Sequence, residues 1–340
     1  MLLKEIDERR YSQWYFHHKS ELANRSPYHH PAWLEAVSDG IGFQLKIVGA
    51  YEGGELVAAV PGFLTRRGPF RLFGSPLRGT LTSYLGPLGI APAVQGENLL
   101  ALVSECNAFA RRTWGVRYAR YTLRDTPAET PTFDQTWTVQ RPGSYRLELP
   151  SDEASLWSGL KSDCRRNIRR AERLGVEVVP FYDAPQFYRM VDGTYRRHGS
   201  TSFHPKRFFQ ALLTRLSQHE ILDSWGAKLE GEVVAAGLFL KDDREMHFVS
   251  GASVSGRGNL PTSYPLHWKA IQAAAKCRLQ CFNSDASRVQ SIDQFKKAFG
   301  LQFSKRFTLI WAPSYIQRLS KIYISSHRYL RRIRASVTQT

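Results

Sequence analysis

Glu232-Val233-Val234-Ala235-Ala236-Gly237-Leu238-Phe239-Leu240, with Met246-His247-Phe248-Val249-Ser250 close behind, is a pair of apolar strands feeding a glycine-bearing turn, Gly256-Arg257-Gly258. A helical run from about Tyr264 to Lys276 follows, then a polar knot at Asn283–Ser287 and the run Phe295-Lys296-Lys297-Ala298-Phe299-Gly300. Apolar strands that lead into a glycine turn opening a helix bring backbone N–H groups to one point, where an anion can dock. The block therefore reads as a site for a phosphorylated substrate.

Toward the N-terminus, Ser144–Leu149 reads as a strand, and Pro150-Ser151-Asp152-Glu153 supplies N-cap chemistry for a helix over Ala154–Leu160. The basic block Lys161–Arg173 places Arg165, Arg166, Arg169, Arg170 and Arg173 on one helix face and Ile168 and Ala171 on another. Gly175 ends it before a strand over Val176–Phe181, and helices over Pro185–Arg197 and Pro205–Gln218 precede the strand pair. The first part of the chain follows a similar order. A helix at Asp7–His18, a second from Ala32 to Ser38, a hairpin of Gln44–Tyr51 and Glu55–Leu64 around Gly53-Gly54, a helix over about Val94–Trp114 and a strand over Arg117–Leu123 make a first unit. The glycine- and proline-rich segment Gly68–Pro92 inside it is expected to form a curved strand and loops that line a cleft. Prolines and threonines between Arg124 and Pro142 mark a surface connection. Beyond Trp311, apolar positions such as Ile316, Leu319 and Ile322 alternate with Arg318, Lys321 and Arg328, the pattern of a basic amphipathic helix.

Composition narrows the function. The 340 residues carry 47 Lys and Arg against 30 Asp and Glu, a formal net charge of +17, which favours phosphate, nucleic acid or anionic lipid as partners. Four scattered cysteines give neither a disulfide framework nor a zinc half-site, so no metal is expected. No serine-nucleophile motif, dinucleotide fingerprint or sequence-reading nucleic-acid motif is present. Met1–Arg10 lacks a secretory apolar core, and no run of about 18 apolar residues occurs. The expected location is the cytoplasm, with the C-terminal helix able to rest on the inner membrane face.

Several segments together resemble the FemAB-type branch of the GNAT acyltransferase superfamily. They are the basic helix Arg165-Arg166-Asn167-Ile168-Arg169-Arg170 ending in Gly175-Val176, then Glu232–Ala236, Ser250-Gly251-Ala252, Pro265–Ile271 and Phe295–Gly300, in that order. Pro31-Ala32-Trp33 ahead of the first hairpin is a weaker echo. The resemblance implies an α/β (α+β) chain of two tandem GNAT-like domains, residues 1–142 and 143–312, each a mixed, mostly antiparallel sheet flanked by helices. Residues 313–340 would form the basic C-terminal helix.

It also implies transfer of an acyl or aminoacyl group to an amine of a cell-envelope precursor, peptidoglycan or polysaccharide, with no permanently bound cofactor. The donor would be an aminoacyl-tRNA or an acyl-CoA; the alternatives are an acyl-CoA or acyl carrier protein donor in exopolysaccharide synthesis, and a non-catalytic protein that holds tRNA or membrane. Lys296, with Phe295 matching the family's Phe-Lys pair, is expected to hold a donor phosphate or stabilise an oxyanion, against the plainer reading of a solvated lysine in a charged loop. Asp285 is expected to relay the nucleophile's proton and Tyr264 to orient substrate. Arg165, Arg169, Arg207 and Ser250 are the expected substrate contacts, and Gly256, Arg257 and Gly258 the phosphate loop. Ser253 stands where that loop ordinarily begins with Gln or Arg, which weighs against coenzyme A.

Overall fold

The computed structural model describes residues 1–125, 134–150, 152–197, 201–254, 260–287 and 289–318. The first unit runs β1 (Leu2–Ile6), α1 (Glu8–His17), β2 (Leu22–Ala23), a 3-10 turn at Pro27–His29, α2 (Pro31–Ile41), β3 (Gln44–Glu52), β4 (Glu55–Arg67), β5 (Phe70–Ser75), β6 (Leu88–Ile90), α3 (Gly96–Trp114) and β7 (Val116–Leu123). Asp7 caps α1 by accepting from the Arg10 N–H, and Gly42 and Gly115 end α2 and α3 in the left-handed region. After β8 (Trp137–Gln140), the second unit runs β9 (Gly143–Glu148), α4 (Glu153–Gly159), α5 (Ser162–Arg173), β10 (Glu177–Pro180), α6 (Ala184–Arg197) and α7 (Lys206–Gln218). It continues through β11 (Leu222–Leu229), β12 (Glu232–Lys241), β13 (Glu245–Ser253), α8 (Ser263–Lys276), β14 (Cys281–Asp285), α9 (Gln290–Ala298) and β15 (Gln302–Lys305), and the chain then adds β16 (Phe307–Trp311).

These strands build two sheets with the same sense pattern. One runs β1-β3-β4-β5-β7-β16-β8 and the other β10-β11-β12-β13-β14-β9-β15. In each, four neighbours pair antiparallel, the next pair is parallel (β5 with β7, β13 with β14), and two antiparallel partners close the edge. Two tandem GNAT-like units are therefore what the chain forms.

One strand departs from the expected division. Phe307–Trp311, expected with the second unit, joins the first sheet between β7 and β8. Its side chains explain the placement, since Phe307, Leu309 and Trp311 bury into the core formed by α3 and the first sheet. The expected C-terminal helix lies outside the described residues beyond Arg318. The short strands β1 and β15 carry little apolar patterning, and sequence periodicity passed over them.

The units share a core. Tyr15, Trp33 and Val37 of α1 and α2 pack into one cluster with Phe187, Phe208 and Leu212 of α6 and α7. A Cβ at Gly40 would come within 2.8 Å of the Phe208 backbone, so α2 and α7 approach this closely only because that position is glycine. Charge also bridges the units. Arg25 of the first, with no exposed side-chain surface, pairs with Asp242 (3.2 Å) and Asp243 (2.7 Å) of the second.

Buried histidines set the pH response. Burial pushes His29, His30 and His267 down to about 4, so each stays neutral in the fold. In the unfolded chain they titrate near about 6.5. Between these values the unfolded state binds more protons than the native one, so their contribution is complete above pH 6.5 and is lost as pH falls toward 4. Urea unfolding should show stability level above about pH 7 and declining below about 6.5; a flat profile down to pH 4.5 would contradict it.

Candidate active site

β13 and β14 run parallel but pair through only three positions, Glu245, Met246 and His247 against Cys281, Phe282 and Asn283. β13 then continues to Ser253 while β14 stops at Asp285. A bulge lies at the parting: Leu238 and Phe239 of β12 oppose Ser250 and Phe248, leaving Val249 as the extra residue. Bulges bend the strand that carries them and re-aim its side chains. Past His247, the β14-facing edge of β13 has no strand partner among the described residues.

A cleft of about 400 Å³ opens there. The first unit contributes Arg78, Leu81 and Ser83 from the segment after β5, with Arg120 from β7. The second contributes Phe248, Val249, Asp285, Ile292 and Lys296, and Arg306 comes from the junction of β15 and β16. The glycine- and proline-rich segment does line a cleft, and Leu81 sits in it at a left-handed φ of 52° that costs energy for a branched residue.

Lys296 is neither solvated nor in a loop. It lies in the last turn of α9 at 6% exposure, donates to the carbonyl of Asp285, stands 3.6 Å from Asp293 and 5.6 Å over the Tyr145 ring. Burial lowers its pKa, and Asp293 and Asp285 work the other way. An ammonium has three protons to give, and these neighbours leave capacity for a ligand.

Asp285 does more holding than its expected role describes. Its carboxylate accepts from Arg306 and, at 2.9 Å, from Ser83 Oγ, which lies 2.9 Å from the Tyr28 hydroxyl. Burial first and Asp285 second push Tyr28 far above the usual phenol range, so it keeps its proton and donates. The result is a directed chain from Tyr28 through Ser83 that ends on Asp285, to which Arg306 donates from the other side. Burial works against the Arg306 charge, but Asp285 and Tyr84 outweigh it and hold its pKa above the ordinary value.

Beneath the cleft lies a buried carboxylate. Glu245, 1% exposed, accepts from Tyr84 (2.5 Å) and Asn283 (3.1 Å), pairs with Arg124 (3.1 Å) and stands 3.3 Å from His247. Burial favours its neutral form, yet His247, Arg124 and Tyr84 together carry it well below the usual carboxylate range.

Of the residues singled out in the sequence, Lys296 and Asp285 are brought together in the cleft. Tyr264 and Phe295 are not among its lining: they pack edge-on at 4.8 Å, with Tyr264 stacked on Phe299 between α8 and α9. Arg165 donates to the carbonyls of Ser158 and Leu160 at the end of α4, and Arg169 lies over the Trp157 ring at 5.5 Å. Both line a separate shallow basic surface on α5. Arg207 is a structural residue here, donating to Gly40 (3.2 Å) and Ile41 (3.4 Å) at the C-terminal end of α2. Ser250 sits on β13 beside the bulge, and Gly256, Arg257 and Gly258 lie outside the described residues.

Sequence reasoning passed over Ser83, Arg120 and Arg306. A weak signal existed for Arg120, a cation alternating into a strand otherwise rich in buried positions; for Arg306 none did, because it is brought in by the strand exchange.

Residues 158–284 match the family model described as acetyltransferase (GNAT) domain. No curated protein matches the sequence. Among solved structures, FemX is similar over 95% of this chain and 99% of its own at 11% identity and a TM-score of 0.70. A tandem GNAT protein from the clavulanic acid biosynthesis pathway covers 92% and 100% at 12% identity and 0.56, and L-PGS from Bacillus licheniformis covers 87% and 95% at 13% and 0.50. The second unit thus matches a GNAT domain model, and the chain as a whole has the tandem fold seen in FemX and in the tandem GNAT protein.

Asp285→Ala would leave Arg306, 5% exposed, without its carboxylate. Because the Asp285 side chain is 53% exposed, the cost should be about 1–2 kcal/mol, below that of a fully buried pair. Urea unfolding of the variant checks it, and an unchanged midpoint would mean that the pair contributes nothing.

Proposed function

We propose that the chain is an N-acyltransferase that moves an acyl or aminoacyl group from an activated donor to an amine of a cell-envelope precursor, peptidoglycan or polysaccharide. The observation that carries this reading is the parting of β13 and β14 beside the buried ammonium of Lys296. Direct transfer forms a C–N bond and breaks the donor's C–O or C–S bond, through a tetrahedral intermediate whose oxygen gains negative charge. Such an oxyanion needs donors fixed in place beforehand. The partnerless edge of β13 offers backbone N–H groups, and Lys296 offers a charge already desolvated and aimed by the Asp285 carbonyl.

The attacking amine must be neutral, and the proton it sheds needs an acceptor. Asp285 faces the cleft with lone pairs beyond those given to Ser83 and Arg306, so it can take that proton. Tyr28 and Ser83 then hold the carboxylate in one orientation. Aminoacyl-tRNA and acyl-CoA both fit as donors on chemical grounds. No helix among the described residues is long and apolar enough to cross a membrane. An acceptor on a lipid carrier would therefore be met at the membrane surface.

Lys296→Met, close in volume and without charge, should lower turnover at least about tenfold, or about 1.4 kcal/mol of transition-state stabilisation. The assay pairs envelope precursors with an aminoacyl-tRNA and acyl-CoA donor panel. Full turnover in the variant would remove Lys296 from the reaction. Salt-sensitive binding of donors with no transfer by the wild-type chain would favour a holding protein instead.

A further inference from the structure

Eleven large apolar side chains stand exposed among the described residues, and four of them, Phe203, Val289, Ile292 and Phe303, surround the mouth of the cleft. Ile292 is itself a lining residue, and Val289 caps the same helix one turn earlier, accepting from the Ile292 N–H at 3.1 Å. The Phe303 ring lies against the lining residue Gly143, where a Cβ would come within 2.6 Å of it, and edge-on to Tyr145 at 5.5 Å. Phe203 reaches from the second unit to Gly79 of the first, so close that a Cβ at Gly79 would collide with its ring. The next residue fixes it there. His204, 6% exposed, donates from Nε2 to the Gly79 carbonyl at 2.9 Å and stacks on Phe208 at 4.9 Å. A buried hydrogen bond between the units thus holds an exposed phenylalanine at the opening. Just inside, Leu81 and Val249 are apolar as well, Leu81 at its left-handed φ of 52°.

Each such side chain left in water forgoes the stabilisation of burial, and apolar surface gathered at one place marks a binding surface. These four come from three separate segments around an opening. A bilayer interface takes up side chains singly, where a protein partner would need a complementary shape. The charge agrees. Four cations, Arg78, Arg120, Lys296 and Arg306, line the cleft against one carboxylate, Asp285, and Lys305 shares the face of β15 that carries Phe303. We propose that the mouth of the cleft is a membrane-docking rim: Phe203, Val289, Ile292 and Phe303 enter the interface of an anionic phospholipid bilayer, while exposed Arg78 and Lys305 meet its headgroups. Membrane contact is thereby assigned to the cleft itself and not to the chain beyond Arg318. A substrate carried on a lipid would then enter the cleft without leaving the bilayer. The proposal extends the transfer reading, and since vesicle binding is measured without turnover, failure of one is distinguishable from failure of the other.

The test is flotation of the full chain with vesicles of phosphatidylcholine and phosphatidylglycerol in equal parts, beside vesicles of phosphatidylcholine alone. The wild type should float with the anionic vesicles and far less with the neutral ones. Phe203→Ser/Phe303→Ser should lower partition into the anionic vesicles at least about tenfold. Ile292→Ser, on the third segment, should lower it in the same direction, so a poorly folded double variant would not leave the matter open. Leu174→Ser/Tyr182→Ser removes as many exposed apolar side chains, beside β10 at the opposite edge of the second sheet, and should float as the wild type does. No flotation by the wild type, undiminished flotation of both rim variants, or equal loss in the Leu174/Tyr182 variant would overturn the rim. A wild-type dimer that dissociates in the double variant while neither binds vesicles would also overturn it and make the face a contact between copies. Flotation through the rim by a chain that transfers no acyl group would leave the rim standing and remove the transfer reading. Transfer to a water-soluble acceptor by a chain that never floats would do the reverse.

Discussion

Glu245 is a carboxylate that water barely reaches, and it remains ionised because groups from both units surround it. Arg124 and Tyr84 arrive from the first unit; His247 and Asn283 belong to the second. Pulling the units apart would strand a charge in a low-dielectric interior, where an unpaired ion is far more costly than a lost surface pair. The same contact pins β13 to β14 through its own strand and through Asn283, at the positions where the two are still paired. One residue beyond, they separate. The gap thus opens from a fixed root, and its width does not drift with the relative position of the units. Tyr84 also places its chain neighbour Ser83 against Asp285, and its ring lies 4.9 Å under Arg306.

Architecture was the most legible layer, because hydrophobic period and turn chemistry are local. The hairpin around Gly53-Gly54, the helices bounded by Gly42 and Gly115, and the strand pair after Glu232 are all present. The exchange of β16 into the first sheet was not legible. Phe307–Trp311 is an apolar run that would suit either sheet, and only long-range packing against α3 decides between them. Polar residues proved hardest to place. Arg165 and Arg207 look like ligand cations in sequence, yet both hydrogen-bond the carbonyls at helix ends, where cations are favoured by the helix dipole. Lys296 was legible as a site candidate through the Phe295-Lys296 pair, but its burial was not, because that depends on Tyr145, Asp285 and Asp293, brought together from three elements.

The strand exchange has a mechanical consequence. β8 and β9 are consecutive in the chain but lie in different sheets, and so do β15 and β16. Two covalent crossings therefore tie the sheets at one side, and Pro142, Gly143 and Arg306, at those crossings, line the cleft. α2 and α7 also meet across the units at Gly40, with no room for a side chain. Cleft residues from the two units are thus held both by chain crossings and by a close helix contact, which suits a reaction in which two substrates must meet at near contact distance.

Two populations of cations must also be kept apart. The arginines of α5 are mostly exposed, and at physiological salt their field fades within about 8 Å. Together with a net charge of +17 they raise the encounter rate of any anion without choosing among them. Lys296 and Arg306 in the cleft are buried, so their attraction is screened less, and their directions are fixed by Asp285. Attraction and selection are therefore separable by salt: ions quench the first well before the second. The excess of basic residues in the sequence reports only the attraction; a choice among anions needs groups of fixed direction, and those are Lys296 and Arg306, which folding has taken out of water.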